Sequence, residues 1–423
     1  MNQVKIPLTT TQHLTHQIIL ALEINILQSL PIKSVRQNHT PNLEQLQMME
    51  VFRQMVNHCI RIGLKYDRYT LKRLSSLAYP QLSKYQIQSK YKLTAISQAC
   101  ARLVQMKKNI KKGMIPRLPF VRKPYLVSCY GFKINKMLLS FPIRNREFTN
   151  VLLNNYTVRI LSEPSLRVRS FSITPNSLSL SIQKMVMPMP TEQTIGIDRN
   201  LRNVTLGNEQ KIIQVNTSEL LKIKENYNYV KSTFKRNDHR IRKKITGRLG
   251  IRQARRIQQR IHKISKAIVE HAKKQKAVIV LENLQGIRKL YRRGNGQGNT
   301  YRRKLNSWSF YELQRQIQYK AEWQGIQTKY IDPKCTSTCC PRCGGRLQAD
   351  RHRRRDLWCG NCERWRDRDI VAALNISHKG LVRFANPQGD TYEAMNRNLV
   401  SDLHQDPVIL RVDVSKLKSG DFM

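Results

Sequence analysis

The stretch from Asp332 to Ile376, DPKCTSTCCPRCGGRLQADRHRRRDLWCGNCERWRDRDIVAALNI, decides how this chain is organised. It contains two Cys-x-x-Cys pairs about fifteen residues apart, Cys340/Cys343 and Cys359/Cys362. This spacing is typical of a structural zinc site with four thiolate ligands, which leaves no coordination position for water. Two aspartates, Asp367 and Asp369, follow directly and lead into a segment of small residues. The stretch therefore predicts a zinc-binding insert that delivers a carboxylate to a helix.

The bulk composition indicates a partner that carries many negative charges. The chain has 423 residues and a formal net charge of +48. Such a charge repels itself unless a polyanion neutralises it, so nucleic acid is the expected partner. A membrane is not an expected partner, because the most apolar N-terminal run, Ile18–Leu30, is too short to span a bilayer and is interrupted by Glu23 and Asn25. That run also lacks the basic leader and cleavage site of a signal peptide.

Cysteine usage points to a reducing compartment. Six of the nine cysteines cluster between Cys335 and Cys362 instead of spreading along the chain as a disulfide framework. We therefore expect a soluble intracellular protein that binds a polyanion.

The first half of the chain predicts a helical module and a small β-module. A strand-like segment at residues 32–40 precedes two apolar helical patterns, Leu43–Leu64 and Leu82–Met106. From residue 117 the pattern changes to short runs rich in Val, Leu, Ile and Phe, which predict strands. These runs are Phe120–Cys129, Phe132–Phe141, Tyr156–Ile160 and Val168–Ile182. The proline-containing segment Met185–Pro190 predicts a linker.

The second half predicts strands that alternate with helices. Thr194–Val215 predicts three strands, and residues 219–276 predict long, very basic helices with one apolar stripe. That stripe consists of Ile257, Ile261, Ile264 and Ile268. The elements expected next are a strand at Ala277–Leu281, a loop at Arg288–Arg303, a helix at Trp308–Gly325 and a strand at Thr328–Ile331. After Ile376 the chain loses any recognisable pattern.

Three carboxylates occupy positions where a secondary-structure element would hold them. Asp198 and Glu282 each follow an apolar strand, and Asp369 opens the segment DIVAALNI. Three converging carboxylates can hold one or two hard divalent cations, and two such cations can clamp an in-line phosphodiester displacement. Each position alone also fits a turn or cap residue, and chemistry alone does not separate Asp367 from Asp369. As a set in a basic protein, they predict a metal-dependent nuclease site.

The basic helix supplies candidate contacts to nucleic acid. Its exposed face is expected to touch phosphates, without indicating which strand they belong to. The candidates are Arg240, Arg242, Lys243, Lys244, Arg248, Arg252, Arg255 and Arg256.

Four stretches together resemble the TnpB family, transposon-encoded RNA-guided nucleases related to the compact type V CRISPR effectors. They are GIDRNLRNVTL, VLENLQGIRK, SWSFYELQRQIQYKAEWQGI and the opening stretch from DPKCTSTCCPRCGG to DIVAALNI. The resemblance runs in order from Thr194 to Ile376 and is looser over residues 32–190.

The resemblance implies a multidomain α+β protein with an RNase H-like (RuvC) α/β core, an inserted zinc ribbon, a wedge β-barrel and a helical recognition lobe. The implied divisions are an N-terminal extension at 1–30, a first wedge strand at 31–40, the recognition lobe at 41–115, the wedge at 116–190, the nuclease core at 191–334, the zinc-binding target-nucleic-acid-binding insert at 335–365, the end of the core at 366–386, and a partly disordered tail at 387–423.

The resemblance also implies roles for individual residues. The family's catalytic acids fall on Asp198, Glu282 and Asp369, where they would hold Mg²⁺. The chain departs from the family at Val371, where asparagine is usual. The family's zinc ligands fall on Cys340, Cys343, Cys359 and Cys362. Cys335 and Cys339 are additional, and we expect them to be plain reduced thiols, because only Cys340 gives the two-residue spacing to Cys343.

As partners, the resemblance implies a structured guide RNA and a double-stranded DNA target, in a prokaryotic cytoplasm or nucleoid. A monomer and a homodimer on one RNA both remain open. Alternative functions are a compact type V CRISPR effector, a guide-directed DNA-binding protein without cleavage, and a transposase that performs strand transfer itself.

Overall fold

The computed structural model describes residues 30–144, 147–235, 238–288, 298–353, 355–385 and 407–417, together with Gly296. The predicted extension at 1–30 lies outside the described residues except for Leu30. So do residues 387–406 and 418–423 of the predicted tail, and residues 289–295 and 297 of the predicted loop. The chain divides into two compact units, Met1–Met185 and Val186–Met423, and each is described by itself.

The first unit combines a group of helices with two antiparallel sheets. Its elements in chain order are β1 (Ile32–Asn38), α1 (Leu43–Lys65), α2 (Leu71–Gln81), α3 (Ser89–Lys111), β2 (Leu126–Ser128), β3 (Lys133–Asn135), β4 (Leu138–Arg144), β5 (Glu147–Leu152), α4 (Asn155–Leu161), β6 (Leu166–Thr174) and β7 (Ser177–Lys184). One sheet has the order β1-β7-β6-β2 and the other β3-β4-β5. Strand β1 pairs along its full length with β7, so residues far apart in the sequence close this unit.

The helices of the first unit pack through apolar faces. Phe52 and Met55 on α1 are fully buried, as are Ile96 and Leu103 on α3. Helix α1 begins at a capping box, in which the Asn42 side chain accepts a hydrogen bond from the Gln45 N–H.

Three sequence predictions for local structure are corrected. The strand predicted at Tyr156–Ile160 is wrong, because the segment is helix α4, capped by the Asn154 side chain. A short apolar run does not distinguish the two conformations by itself. The helix predicted at Leu82–Met106 begins only at Ser89, as α3, because residues 82–88 form a turn, and α2 before it was not predicted. The predicted loop at Arg288–Arg303 overlaps a helix that begins at Asn299.

The second unit is built on one mixed sheet. Its elements are β8 (Gln193–Arg199), β9 (Asn203–Gly207), β10 (Lys211–Asn216), α5 (Ser218–Thr233), α6 (His239–Lys274), β11 (Ala277–Glu282), α7 (Asn299–Ser307), α8 (Phe310–Trp323), β12 (Thr328–Ile331), β13 (Gln348–Ala349), β14 (Asp356–Cys359), β15 (Arg364–Asp367), α9 (Arg368–Ala385) and β16 (Val408–Asp413). The six-stranded sheet has the order β12-β11-β8-β9-β10-β16, and β13-β14-β15 form a small separate sheet. The central strands β8 and β11 are parallel, so their carboxyl ends meet at one edge.

Helices cover both faces of the six-stranded sheet. Along β11, Ile279 and Leu281 join the core formed with α6 and α8, whereas Val278 and Val280 pack with Ile376 of α9. The apolar stripe predicted on α6 is buried in that first core. Alternate strand residues thus face different helices, as the period of a strand requires.

Gly196 brings α9 close to the central strand. A Cβ atom at this position would collide with the carbonyl oxygen of Ala373 in α9. Only glycine therefore permits this approach, which carries the start of α9 towards the end of β8.

The C-terminal segment contributes a strand that the sequence pattern did not indicate. Residues 387–423 were expected to form a partly disordered tail, but β16 pairs in parallel with β10. Val414 and Leu417 beyond it are buried in the core of the second unit.

Within the described ranges, no helix combines the length and the apolar character that crossing a bilayer would require.

Candidate active site

Two acidic side chains lie side by side at the carboxyl ends of the central parallel strands. Ile197 of β8 pairs with Leu281 of β11, so Asp198 and Glu282 occupy the next position on each strand. Asp198 lies on the same face of β8 as Gly196, the face covered by α9. Both carboxyl groups are buried. The carboxyl ends of parallel strands are where α/β sheets commonly bind ligands.

The third acid comes from the first turn of α9. Asp369 is buried and lines the same cleft as Asp198 and Glu282. The neighbouring Asp367 has a different task, because its Oδ1 accepts the backbone N–H groups of Asp369 and Ile370, at 2.8 and 3.2 Å. Asp367 therefore caps the helix, which leaves the Asp369 carboxylate for the cleft.

Polar side chains hold the three carboxylates in place. The Asn200 amide donates to Asp198 Oδ2 at 2.6 Å and to Asp369 Oδ1 at 3.0 Å, so one amide joins two of the acids. Asn203 donates to Asp369 Oδ2 at 2.7 Å. Thr336 donates from its hydroxyl to Glu282 Oε1 at 2.7 Å. The orientation of each carboxylate is thus fixed.

Two arginines, one half exposed and one buried, contact residues of this acidic group. Arg355 lies at the mouth of the cleft, about half exposed, and forms an ion pair with the Asp369 carboxylate. Arg199 is buried, and its guanidinium donates to the Glu282 carbonyl oxygen and to Gln314 Oε1, both at 2.6 Å.

Burial raises the pKa of two of these acids, Asp198 and Glu282. The pKa of Asp198 is raised to about 8, mainly by desolvation and further by the charges of Glu282 and Asp369. Desolvation also raises the pKa of Glu282, although Thr336 and Arg199 oppose the shift. A bound divalent cation would lower both pKa values, because its positive charge stabilises the ionised carboxylates.

The acids line a cleft of about 920 Å³, whose walls also include Tyr301 and Trp308. Three carboxylates that converge on one space are the oxygen donors that Mg²⁺ prefers. The residues present therefore fit a hard divalent cation at this site.

The four thiols predicted to bind zinc form one cluster. Cys340 Sγ lies 3.9 Å from Cys362 Sγ, Cys343 Sγ lies 3.5 Å from Cys359 Sγ, and all four sulfurs are within 4.8 Å of one another. Zn–S bonds of about 2.3 Å place tetrahedral sulfurs about 3.8 Å apart. The cluster therefore has the donor set and the dimensions of a structural zinc site.

Helix α9 is attached to this cluster by two side chains. Val371, where the resemblance implies asparagine, is fully buried in one apolar cluster with Cys340 and Cys359. Asn375 donates to the carbonyl oxygens of Thr336 and Cys339, both at 2.8 Å. The thiol cluster and the start of α9 are therefore one packed assembly. Cys335 and Cys339 are free thiols outside the four-sulfur group.

The basic residues predicted to contact nucleic acid lie in the first half of α6. Seven of them are exposed and Arg242 is half-buried. The structure does not bring them to the cleft wall, whose basic residues are instead Arg199, Arg202, Lys304, Arg355 and Arg368.

Sequence reasoning missed the residues that support the acids. Asn200 and Asn203 could have been predicted from the sequence, because two asparagines just after a strand-end aspartate are a usable signal. Thr336 and Arg355 gave no such signal, since their partners are 54 and 14 residues away along the chain.

Fold and site define a mixed α/β protein that combines an acidic cleft with a four-thiol cluster. Residues 310–376 match the model of the Cas12f1-like TNB domain. TnpB-like protein MJ0751 of Methanocaldococcus jannaschii is 31% identical over 242 residues, which cover 54% of this chain and 85% of that protein. The chain belongs to the TnpB-like family, and the resemblance stated from the sequence is confirmed.

Two further likenesses connect the chain to CRISPR nucleases. The CRISPR-associated endodeoxyribonuclease Cas12f1 of Sulfoacidibacillus thermotolerans is 34% identical over 117 residues, which cover 27% of this chain and 25% of that protein. A Cas12f1 chain solved in complex with sgRNA and target DNA superposes with a TM-score of 0.55 at 16% identity, covering 79% of this chain and 81% of that one. At this identity the superposition demonstrates a shared fold only.

Proposed function

We propose that the protein is an RNA-guided, Mg²⁺-dependent DNA endonuclease of a transposon. The observation that carries this proposal is the convergence of Asp198, Glu282 and Asp369 in one cleft of a chain with a net charge of +48. Three buried acids that repel one another are costly to maintain without a cation, and a polyanionic substrate accounts for the surrounding positive charge.

The guide RNA and the DNA target are inferred from the relatives. Cas12f1 is named an endodeoxyribonuclease, and its solved complex contains sgRNA and target DNA. We extend both partners to this chain, with base pairing of the guide to choose the DNA site. The basic face of α6 would hold nucleic acid through its phosphates. We place this activity in the prokaryotic cytoplasm or nucleoid, where free thiols persist.

We propose domain roles on the same basis. The six-stranded sheet with its helices would be an RNase H-like (RuvC) nuclease core formed by residues 191–334 and 366–386 and completed by strand β16, with the zinc insert at 335–365. Residues 31–40 and 116–190 would form the wedge, and residues 41–115 the recognition lobe. The parallel pair β8–β11, with acids at the carboxyl ends of both strands, supports the nuclease core.

The residues that would hold Mg²⁺ are Asp198, Glu282 and Asp369. When bound, Mg²⁺ supplies activation of the attacking water and stabilisation of the leaving oxygen in phosphodiester hydrolysis. Asn200 and Asn203 hold the Asp198 and Asp369 oxygens at fixed positions, and Thr336 does the same for Glu282. Arg355 places five N–H donors at the mouth of the cleft, where a guanidinium can bind a phosphate oxygen of the substrate.

The test is cleavage of plasmid DNA by full-length protein purified with its RNA, after that RNA has been sequenced to define the target. We expect Asp198→Asn, Glu282→Gln and Asp369→Asn each to lower the cleavage rate by at least about 100-fold. Mutation of a residue that only supports a metal ligand already lowers metal affinity or activity about 10- to 100-fold, so loss of a ligand itself should cost at least as much.

Glu192→Gln is the matched control, because Glu192 is an exposed acid at the opposite end of β8. If Asp198→Asn cleaves as fast as this control, the assigned site is wrong. Stable target binding without cleavage by the unmodified protein would instead favour a guide-directed DNA-binding protein.

A second candidate is a compact type V CRISPR effector, which the match to Cas12f1 supports. The genomic neighbourhood separates the two, since a repeat array accompanies an effector and insertion-sequence ends accompany a transposon nuclease.

A further inference from the structure

Two tryptophans face each other on the hairpin of the zinc module. Trp358 of β14 is the direct cross-strand partner of Trp365 of β15, with ring centroids 5.3 Å apart and planes inclined at 54°. The alternate residues Leu357 and Cys359 are buried with the thiol cluster, so the tryptophan pair lies on the other face of the hairpin. Trp365 is 40% exposed. The partly exposed ring of Trp365 therefore gives the hairpin an aromatic surface on the face away from the thiol cluster.

One arginine lies over this aromatic pair, in a segment rich in arginine. The Arg353 guanidinium lies 4.9 Å from the centroid of the Trp365 ring. Residues 342–368 contain nine arginines, no lysine and four acidic residues. Arginine stacks on aromatic faces and also binds phosphate through paired N–H groups, whereas lysine offers only a point charge. Aromatic rings beside such arginines match unpaired nucleic acid, whose bases stack while its phosphates pair.

The hairpin connects this surface to the carboxylate cleft. Asp356 at the start of β14 pairs with Asp367 at the end of β15, two residues beyond the tryptophans on each strand. At about 3.3 Å per residue, this end of the hairpin is about 7 Å from the tryptophan pair. Arg355 and Arg368 line the cleft just beyond it, joined by a backbone hydrogen bond of 2.8 Å.

We propose that Trp358, Trp365 and Arg353 form a base-stacking site for single-stranded DNA, which holds an unpaired base of the substrate beside the cleft. The choice of DNA as the strand depends on the proposed function. Cross-strand tryptophans also stabilise a hairpin, which explains the contact between the two rings. Hairpin stability alone does not explain the exposed ring of Trp365 with a guanidinium over it.

The first experiment is photochemical crosslinking of the full-length, zinc-loaded protein with its RNA. The probe is an oligothymidylate that contains 5-iododeoxyuridine, which crosslinks to stacked aromatic side chains. We expect the main crosslinked peptide to contain Trp365. Crosslinks confined to other peptides would overturn the proposal, and this readout requires no substitution that could disturb folding.

The second experiment measures equilibrium binding of the same oligonucleotide. Trp365→Leu, which keeps an apolar partner for Trp358, should weaken binding roughly 5- to 100-fold through the loss of one base stack. The salt dependence of the affinity should not change, because a stacked base releases no counterion. Arg353→Gln should instead reduce the slope of log affinity against log salt by about one.

Tyr156→Leu is the matched control for the aromatic substitution. Tyr156 is an exposed aromatic in the first unit, with the Arg159 guanidinium 6.0 Å from its ring centroid. Equal losses of affinity in Trp365→Leu and Tyr156→Leu would contradict a specific site, and preferential crosslinking of the matching oligouridylate would overturn the assignment to DNA. Asp198→Asn distinguishes this proposal from the nuclease proposal, because it should remove cleavage without weakening oligonucleotide binding.

Discussion

Arg199 is a buried guanidinium near the Asp198 and Glu282 carboxylates, and its charge favours their ionised forms. It is 2% exposed and donates to the backbone of Glu282 and to Gln314. A buried charge is tolerated only when it is paired and hydrogen-bonded. Arg199 therefore fixes the end of β11 and offsets part of the negative charge of the cleft.

Removal of this guanidinium should destabilise the second unit. We expect Arg199→Met to lower the free energy of unfolding by about 1–3 kcal/mol, because it leaves the buried Glu282 carbonyl and the Gln314 amide oxygen without their donor. Denaturation followed by tryptophan fluorescence measures this, since all four tryptophans lie in the second unit. Arg202→Met, at an exposed arginine three residues away, should change the value by less than about 0.5 kcal/mol. Equal unfolding curves for the two variants would contradict this role.

Asp198 makes cation binding depend on pH. Its pKa of about 8 means that, near neutral pH, the metal-free folded protein holds a proton that a cation must displace. Because this folded-state pKa lies above the ordinary aspartate value, folding takes up a proton. The stability of the metal-free protein should therefore fall as the pH rises from about 4 through 8.

The affinity for Mg²⁺ should accordingly rise with pH and level off above about pH 8. Calorimetric titration of the RNA-free protein, in two buffers of different ionisation enthalpy, measures both the affinity and the proton released. The variant Asp198→Asn lacks the carboxyl group that carries this proton. Its binding of Mg²⁺ should therefore release fewer protons near neutral pH. Affinity that does not vary between about pH 6 and 8 would show that Asp198 is already ionised without the cation.

At the scale of elements, the zinc module and α9 behave as one assembly. Val371 packs with Cys340 and Cys359, and the Asn375 side chain donates to the carbonyl oxygen of Cys339, directly before the first Cys-x-x-Cys pair. The helix that carries Asp369 therefore begins on a surface that the thiol cluster organises. Loss of zinc should be transmitted to the cleft through this contact.

Cys359→Ser should abolish stoichiometric zinc binding and reduce plasmid cleavage, because the start of α9 loses its support. Elemental analysis by mass spectrometry gives the zinc content, and cleavage is measured on the same preparation. Cys335→Ser is the matched control, since Cys335 is a free thiol outside the four-sulfur cluster. Zinc retained in Cys359→Ser, or lost equally in Cys335→Ser, would show that the ligands are assigned incorrectly.

At the scale of the whole molecule, the second unit is closed by residues from its far end. Strand β16 extends the sheet beside β10, about 200 residues earlier in the sequence. Leu417, just beyond this strand, is 4% exposed and belongs to the same core as Ile195 and Ile197 of β8. The segment from 407 to 417 therefore belongs to the core fold and stabilises the sheet that carries Asp198.

Leu417→Ala should lower the free energy of unfolding of the second unit by about 2–4 kcal/mol, through lost burial and the cavity left behind. Val408→Ala, at a position that is 63% exposed on the same segment, should cost less than about 0.5 kcal/mol. Tryptophan fluorescence reports both. A neutral Leu417→Ala would mean that the segment does not pack on this core in solution.

Local chemistry made several features predictable. The four cysteines lie within one short stretch, so their spacing identified the cluster that the structure brings together. Asp198 and Glu282 could be selected because a strand pattern ended at each of them. The family itself could be identified, because its motifs are short, ordered segments of sequence.

The sequence alone thus determined the family, the thiol cluster and three candidate acids, because each depends on local spacing or on a motif. Only the tertiary structure showed that Asp367 caps the helix that carries Asp369, that Arg199 and Arg355 accompany the acids, and that β16 completes the sheet. These features depend on contacts between distant residues, such as Asn200 with Asp369 across 169 positions. Periodicity does not record such contacts, since they arise only when strands and helices pack together.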